Sequence, residues 1–235
     1  MKSIRIILAA VAAASLVSSC KFVRVAEGVD SKFWGEQVQA SEVLETRSIV
    51  VSDFDSIDFG TSCRVEYVPG DYRLEVETHE NVFDHLDFTV EDGVLKLSQD
   101  NYNIRNMNTL NIYVQSPVLS GATFSGAAEF RASKGIEAET FKLSAFGASS
   151  VRIDGLDAAS VDLTLTGASK LRVDGLDSQE LKINVSGAGN CDISGMTGSA
   201  DVTIAGAGGV DLSDLKVDEL ATSVSGAGNV IKPRD

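Results

Sequence analysis

Apolar and polar residues alternate with a period of two through most of the chain after residue 46. Segments such as 161–166 and 181–186 place valine, leucine or isoleucine at every second position and polar residues between them. Such alternation in segments of three to six residues is typical of short strands with one buried face. No stretch keeps the i, i+3, i+4, i+7 spacing of an amphipathic helix for long enough to predict one.

The part before residue 121 is also predicted to consist of strands, at wider and less regular spacings. Asp92 and Gly93 predict a tight turn that joins strands 88–90 and 94–97 into a hairpin. A short helical turn is expected around residues 81–86, and residues 101–108 are predicted to be a polar loop. The remaining predicted strands are 48–51, 57–59, 63–68, 72–77 and 110–114.

A Gly-Ala pair recurs through the second half of the chain at a nearly constant spacing. The intervals between successive glycines are 21, 20, 20, 19 and 20 residues. A fixed period in this range indicates a solenoid. The six pairs, called the Gly-Ala boxes below, are Gly126-Ala127, Gly147-Ala148, Gly167-Ala168, Gly187-Ala188, Gly206-Ala207 and Gly226-Ala227.

The residues between the boxes identify the type of solenoid. The pattern of a leucine-rich repeat is absent, and the calcium-binding nonapeptide repeat has a different period. The predicted fold is therefore all-β: a parallel β-helix with about 20 residues per coil in the C-terminal half, stacked so that equivalent positions form buried ladders. The predicted interior positions are Phe130, Val151, Leu171, Cys191, Val210 and Val230; Ala132, Ile153, Val173, Ile193 and Leu212; and Leu156, Leu176, Met196 and Leu215.

Each Gly-Ala box is predicted to form a tight corner of its coil. The glycine supplies backbone conformations with φ > 0 that other residues avoid. The alanine that follows it in all six copies is expected to point inward, where a larger side chain would clash. Asp-Gly at 154–155 and 174–175, and Ser-Gly at 194–195, predict a second turn in each coil.

The N-terminus carries the pattern of an export signal. Lys2 and Arg5 precede an apolar run from Ile6 to Val17, which is shorter than the about 20 residues that span a bilayer. The following Ser-Ser-Cys completes a segment that resembles a bacterial lipobox, so we expect cleavage before Cys20 and lipidation of its thiol. The alternative is an ordinary secretory signal whose cleavage site adjoins a cysteine. Several acyl chains on one residue would form a stable membrane anchor.

These patterns divide the chain into four segments. Residues 1–19 are the predicted lipoprotein signal peptide, and residues 20–45 the lipidated N-terminus and tether. Residues 46–120 form the N-terminal β part, and residues 121–235 the Gly-Ala repeat β-helix. We expect the mature protein to be exported and held by lipid at the bacterial cell envelope, at the outer membrane.

Charge argues against one class of partner. The chain has 20 Lys and Arg residues against 34 Asp and Glu residues, a net charge of −14. A nucleic-acid-binding protein would normally present clustered Lys and Arg, so no nucleic-acid partner is expected. The same charge keeps a surface protein soluble and repels anionic lipid, which leaves the lipid anchor itself to hold the protein.

Candidate chemical sites are few. Asp154 and Asp174 at the second turn, with Asp157 and Asp177 beside them, form acidic rows. Stacked carboxylates offer the oxygen ligands that Ca²⁺ prefers, and solvated turn residues are the alternative interpretation. The boxes resemble phosphate-binding loops only superficially, because no strand-to-helix transition follows them. No cofactor is expected.

The remaining reactive residue types do not form a recognisable catalytic set. His79 and His85, the two histidines, are predicted to be structural or surface residues. Cys63 and Cys191 alternate with apolar neighbours and are predicted to be small buried hydrophobes, with no case for or against a disulfide. Uniform coils leave no long insertion to build the walls of an enzyme groove, so no catalytic or metal-binding residues are predicted.

Several segments together resemble a known family. They are Phe54-Asp55-Ser56-Ile57, the hairpin from Arg64 to Thr78, the run from Glu91 to Leu97, Ser116-Pro117-Val118-Leu119, and the repeated Ser-Gly-Ala-Gly. The chain is similar over residues 48–230 to the putative auto-transporter adhesin, head GIN domain family, which is common among predicted surface lipoproteins of Gram-negative bacteria. This resemblance implies a β-helical fold and an adhesin-like role, and it supplies no catalytic residues.

Three functional classes follow, in order of preference. The first is a non-catalytic surface lipoprotein that presents a β-helix face to a glycan or protein partner. The second is a structural or regulatory envelope protein, and the third is a carbohydrate-active β-helix enzyme. An exposed aromatic platform would favour glycan binding and is expected in the N-terminal half. Its candidates are Trp34, Tyr67, Tyr72, Tyr102 and Tyr113.

Overall fold

The computed structural model describes residues 37–99 and 103–234. Strands dominate these residues, and the predicted all-β fold is confirmed. The strands are β1 Gln37–Gln39, β2 Leu44–Ile49, β3 Ser56–Phe59, β4 Arg64–Pro69, β5 Arg73–His79, β6 Leu86–Glu91, β7 Val94–Gln99, β8 Asn103–Arg105, β9 Leu110–Ser116, β10 Gly121–Phe124, β11 Glu129–Ala132, β12 Ile136–Gly147, β13 Ser150–Gly167, β14 Lys170–Gly187, β15 Asn190–Gly206, β16 Gly209–Gly226 and β17 Asn229–Ile231. A 3₁₀ helix spans Glu80–His85.

The long strands of the C-terminal half stack in parallel, one coil upon the next. β12 to β16 pair in register through nearly their whole length, and β17 pairs with the start of β16. The predicted parallel β-helix is confirmed. The coils form two faces of the solenoid that carry the grooves described in the next section. Face A contains the segments that follow each Gly-Ala box (129–132, 150–153, 170–173, 190–193, 209–212 and 229–231). Face B contains the segments that precede the next box (121–124, 141–146, 161–166, 181–186, 200–205 and 220–225).

Equivalent side chains form buried ladders inside the coils. The ladder through Val151, Leu171, Cys191 and Val210 is at most 3% exposed, because each residue packs on its counterparts above and below. Val173 on the neighbouring ladder is fully buried. The alternation of apolar and polar positions therefore identified the interior of both faces.

The corner glycines adopt the predicted backbone, but the alanines beside them do not point inward. All six box glycines have φ between +84° and +131°. The box alanines are exposed to solvent, so their predicted inward orientation is wrong. The residue after each alanine occupies the inner corner instead, because the chain needs one further residue to complete the turn. These inner residues are Ala128, Ser149, Ser169, Gly189, Gly208 and Gly228.

Met196 is a second departure from the predicted interior. Its side chain is 51% exposed, whereas Leu156, Leu176 and Leu215 are buried. The coil between the fourth and fifth boxes has only 19 residues, and the register shifts after Val173. Gly195 therefore pairs with Leu176, and Met196 falls outside in the row of Asp177.

The N-terminal part continues both faces of the solenoid. β4 pairs with β11 on face A, and β3 pairs with β10 on face B, all in parallel. β9, β5 and β2 extend face A, while the hairpin of β7 and β6 extends face B. Asp92 and Gly93 form the predicted hairpin turn, both with positive φ. Larger aromatic residues fill the core here, with Phe124 packed between Phe59 and Phe130.

Three further features lie in segments predicted to be irregular. The 3₁₀ helix confirms the helical turn expected around residues 81–86. β8 lies within the predicted polar loop and pairs with β1, which lies in the predicted tether together with the start of β2. Within residues 37–99 and 103–234, no helix is both long and apolar enough to cross a membrane.

Candidate functional site

Within the described residues, the two histidines do not form a reactive site. Cys20 lies outside these residues, and its lipidation stays a prediction. His79 is 5% exposed and lies between two partners: Nδ1 is 2.5 Å from the carbonyl oxygen of Ser41, and Nε2 is 2.9 Å from Oδ1 of Asn108. His79 therefore ties two chain segments together. His85 ends the 3₁₀ helix.

Both described cysteines are buried, as the alternation predicted, and both are free thiols. Burial raises the pKa of Cys63 to about 12 and raises the pKa of Cys191 as well. The thiolate is the reactive form of cysteine, so both groups are protonated and unreactive near neutral pH.

The two acidic rows have different surroundings. Asp154 and Asp174 are paired with arginines on face A, whereas Asp157 and Asp177 are exposed beside Met196. The residues that the structure describes contain no group of three or more His, Cys, Asp or Glu side chains arranged to hold a metal ion.

The aromatic residues of the N-terminal half do not form a platform within the described residues. Tyr67 is 1% exposed, and its hydroxyl donates a hydrogen bond to the carbonyl oxygen of Ser116 at 3.1 Å. Tyr72 packs against Phe54 with ring centroids 5.5 Å apart. Tyr113 is exposed alone in its row. Trp34 and Tyr102 lie outside the described residues.

Face A carries a ladder of alternating Arg and Asp side chains that sequence analysis missed. Arg152 contacts Asp154 at 2.8 Å in its own coil and Asp174 at 2.7 Å in the next. Arg172 contacts Asp174 at 2.9 Å and Asp192 at 3.2 Å. A hydrogen bond from Arg172 lowers the pKa of Asp174. The ladder thus holds these side chains in fixed positions and neutralises their charges locally.

A second row of polar side chains lies beside this ladder, also on face A. Ser150, Lys170, Asn190, Gly209 and Asn229 are in register, one per coil, at a strand spacing of about 4.8 Å. The hydroxyl, ammonium and amide groups of this row make no side-chain hydrogen bond or ion pair with the described part of the chain. They are therefore free to bind a ligand.

The second row, together with Arg152, Arg172 and Asp192 of the ladder, lines an open groove of about 630 Å³ along face A, called groove A below. Gly209 has no side chain, so the floor of the groove is open at that rung. Amide and hydroxyl groups can both donate and accept hydrogen bonds, while lysine and arginine donate only. The groove therefore suits a ligand rich in hydroxyl groups that lies along the solenoid.

Face B contains a second groove of about 620 Å³, called groove B below. It is lined by Lys96, Lys142 and the 39% exposed ring of Phe146, among other residues. Lys96 is already paired with Glu91 at 2.6 Å. Groove B thus has an aromatic surface but fewer free polar groups in register than groove A.

The sequence contains a signal for the polar rows. The Arg/Asp ladder includes the fifth residue after each box glycine, and the second row is the third residue after it. Both positions alternate with the predicted interior residues, so they were predictable as outward rows. The pairing of each arginine with carboxylates of two coils required the register.

Solved structures share this fold. A crystal structure of a putative lipid binding protein from Parabacteroides distasonis has a TM-score of 0.74 and 21% identity, and the match covers 85% of this chain and 100% of that chain. A putative adhesin from Bacteroides fragilis has a TM-score of 0.62 and 21% identity, covering 83% and 99%. A putative adhesin from Parabacteroides merdae has a TM-score of 0.57 and 18% identity, covering 85% and 100%. At these identities the likeness concerns the fold alone.

No curated protein matches the chain. The model of one family matches residues 53–231, which is most of the chain and includes both grooves. The repeated boxes, the coils and the strands from β3 onward all lie within this match, whereas β1 and β2 precede it. The chain therefore belongs to the putative auto-transporter adhesin, head GIN domain family.

Proposed function

We propose that this protein is a non-catalytic, envelope-anchored binding module that holds an extended glycan in groove A. The observation that carries this proposal is the row of free polar side chains, one per coil, beside the Arg/Asp ladder. A rigid parallel sheet spaces these groups regularly, so successive sugar units of one extended chain meet equivalent partners. The ladder also neutralises the groove locally in a protein whose net charge is −14.

Several features support binding rather than catalysis. A glycosidase needs one carboxylic acid with a raised pKa and a second carboxylate at a controlled distance. Arg172 instead lowers the pKa of Asp174, the carboxylate at the centre of the ladder. The thiols of Cys63 and Cys191 are buried and protonated, and His79 is occupied by two hydrogen-bonding partners.

The anchor is the second part of the proposal. The N-terminal pattern supports export, cleavage before Cys20 and acylation of that residue, and the resulting lipid would hold the mature protein at the outer membrane. Metabolic labelling with a clickable fatty acid should mark the wild-type protein and not the Cys20→Ala variant. Equal labelling of both proteins would contradict the anchor.

A glycan array tests the binding function. The chain from residue 21 onward is applied to the array, and its hits are titrated in solution. Replacing Lys170 and Asn190 together by alanine should weaken binding at least tenfold, because two adjacent rungs lose their polar groups. The matched control replaces Lys182 and Asn184, the same residue types on face B of the same solenoid, and should bind as the wild type does.

One further variant separates the two grooves. Phe146→Ala removes the aromatic surface of groove B and leaves groove A intact. Loss of binding in this variant alone would place the glycan in groove B and refute the assignment to groove A. An array with no hits would refute glycan binding itself.

A further inference from the structure

Within the described residues, the last coil of the solenoid presents an unpaired sheet edge. β17 pairs with β16 only at residues 209–211, and Arg234 adds one backbone hydrogen bond to Ser213. Among the described residues, nothing pairs with the outer edge of β16 from residue 215 to residue 226. Its backbone N–H and C=O groups on that side are a template for another strand.

The last coil also leaves one layer of the core uncovered. Val224 is 45% exposed, whereas Ile204, its neighbour in the preceding coil, is 1% exposed. Leu220 is half-buried, while its neighbour Ala200 is buried. These side chains point toward the interior, so a strand added at this edge would bury them.

The open edge carries no charge along six residues. Residues 220–225 read Leu-Ala-Thr-Ser-Val-Ser, in a chain of which 23% is charged. An uncharged segment of this length, without proline or glycine, has the composition that favours pairing between identical strands. The opposite end of the molecule differs: β2 carries Glu45 and Arg47, and β6 carries Asp87 and Glu91. Charged residues on an edge strand discourage pairing.

We propose that this edge pairs with the same edge of a second copy of the chain, around a two-fold axis at Thr222. In the antiparallel register that this axis imposes, Leu220 lies opposite Val224, and Ala221 lies opposite Ser223. Glu219 lies opposite Ser225, so no carboxylate faces its own copy. A two-fold interface of this kind closes on itself, and the product is a dimer rather than a fibre.

The charged edges at the other end support the two-fold arrangement over a head-to-tail one. Head-to-tail stacking would place the uncharged segment against β2 or β6, whose charges would lose water without gaining partners. The dimer does not depend on the glycan proposal. It would place two copies of groove A in one particle and raise the avidity for a multivalent ligand.

Sedimentation of the full-length protein in detergent micelles tests the proposal. Thr222→Lys places two ammonium groups directly opposite each other, which opposes strand pairing. We expect the wild type to be a dimer and this variant to dissociate at least tenfold more readily, while its circular dichroism spectrum remains that of the folded chain. The control Thr203→Lys adds the same charge on the outer surface of β15, an internal strand, in the row of Ser223, and should remain a dimer.

Cysteine cross-linking tests the register. Residues directly opposite in an antiparallel pair lie within the Cα separation that a disulfide spans. Under mild oxidation, Thr222→Cys should form a covalent dimer, and Thr203→Cys should not. A monomeric wild type, a dimer that survives Thr222→Lys, assembly into open fibres, or equal cross-linking of both cysteine variants would each overturn the proposal.

Discussion

At the inner corner after each box, adding a single methyl group is expected to lower the stability of the protein markedly. Gly208 is buried directly after the exposed Ala207. A Cβ atom on Gly208 would lie 2.5 Å from the carbonyl oxygen of Gly189 and 2.7 Å from Cγ1 of Val185. The carbonyl oxygen cannot move freely, because it accepts the hydrogen bond of Gly209 N–H at 2.9 Å.

The cost of Gly208→Ala follows from these contacts. Overpacking a rigid core typically costs about 1–3 kcal/mol, and the loss of glycine's freedom in the unfolded chain returns less than about 1 kcal/mol. We expect a net loss of roughly 1–2 kcal/mol, which lowers the melting temperature of a chain of this size by about 2–8 °C. Gly189→Ala should cost less, because its Cβ would meet the carbonyl oxygen of Ser169 at 3.1 Å.

Thermal melts of three variants check this reasoning. Gly208→Ala should melt lowest, Gly189→Ala should lie between, and Ala207→Ser should melt with the wild type because its side chain points to solvent. If Gly208→Ala and Ala207→Ser melt at the same temperature, the inner and outer positions of the corner are assigned incorrectly.

Three further predictions concern the buried core, the thiol of Cys63 and the Arg/Asp ladder. Val173→Asp buries an unpaired carboxylate and should lower the free energy of unfolding by several kcal/mol. Thr203→Asp places the same group on the outer surface and should change the free energy of unfolding little. Equal denaturant midpoints for the two variants would contradict the assignment of Val173 to a buried ladder. Cys63 should resist iodoacetamide in the folded state, as mapped by mass spectrometry. Because its folded pKa is raised to about 12, its contribution to stability is complete below the ordinary pKa near 9 and is lost as the pH rises from 9 toward 12. Asp174→Asn should cost under about 1 kcal/mol near pH 7. Because Arg172 lowers the pKa of Asp174, the difference should shrink as the pH falls below the ordinary Asp value of 3.8, and a difference that does not change with pH would contradict a role for this charge.

The repeat and the alternation were sufficient to predict the coils, the interior ladders and the positive φ of the box glycines. The reason is that burial in a β-helix is repeated at every coil. Val151 and Leu171 occupy the same position of successive coils, so each copy confirms the assignment of the others. The outward polar rows on face A follow from the same alternation.

Only the tertiary structure decided which side of the corner Ala207 and Gly208 occupy. Both residues are small, so hydrophobicity does not distinguish them, and their orientation depends on the carbonyl group of the coil beneath. The exposure of Met196 likewise depends on the point at which its 19-residue coil is one residue shorter than its 20-residue neighbours. Counting residues from the box glycine does not reveal that point.

The candidate sites also depended on the packing of coils. Arg152 pairs with Asp174, 22 residues away, because two coils place their side chains 2.7 Å apart. The open edge of β16 is visible only when every neighbouring strand has been placed, since Val224 has the same local pattern as the buried Ile204. The sequence determines which residues face inward or outward within a coil, because that choice depends on local alternation. The tertiary structure decides which outward residues meet and which inward residues stay uncovered, because those contacts depend on the neighbouring coil.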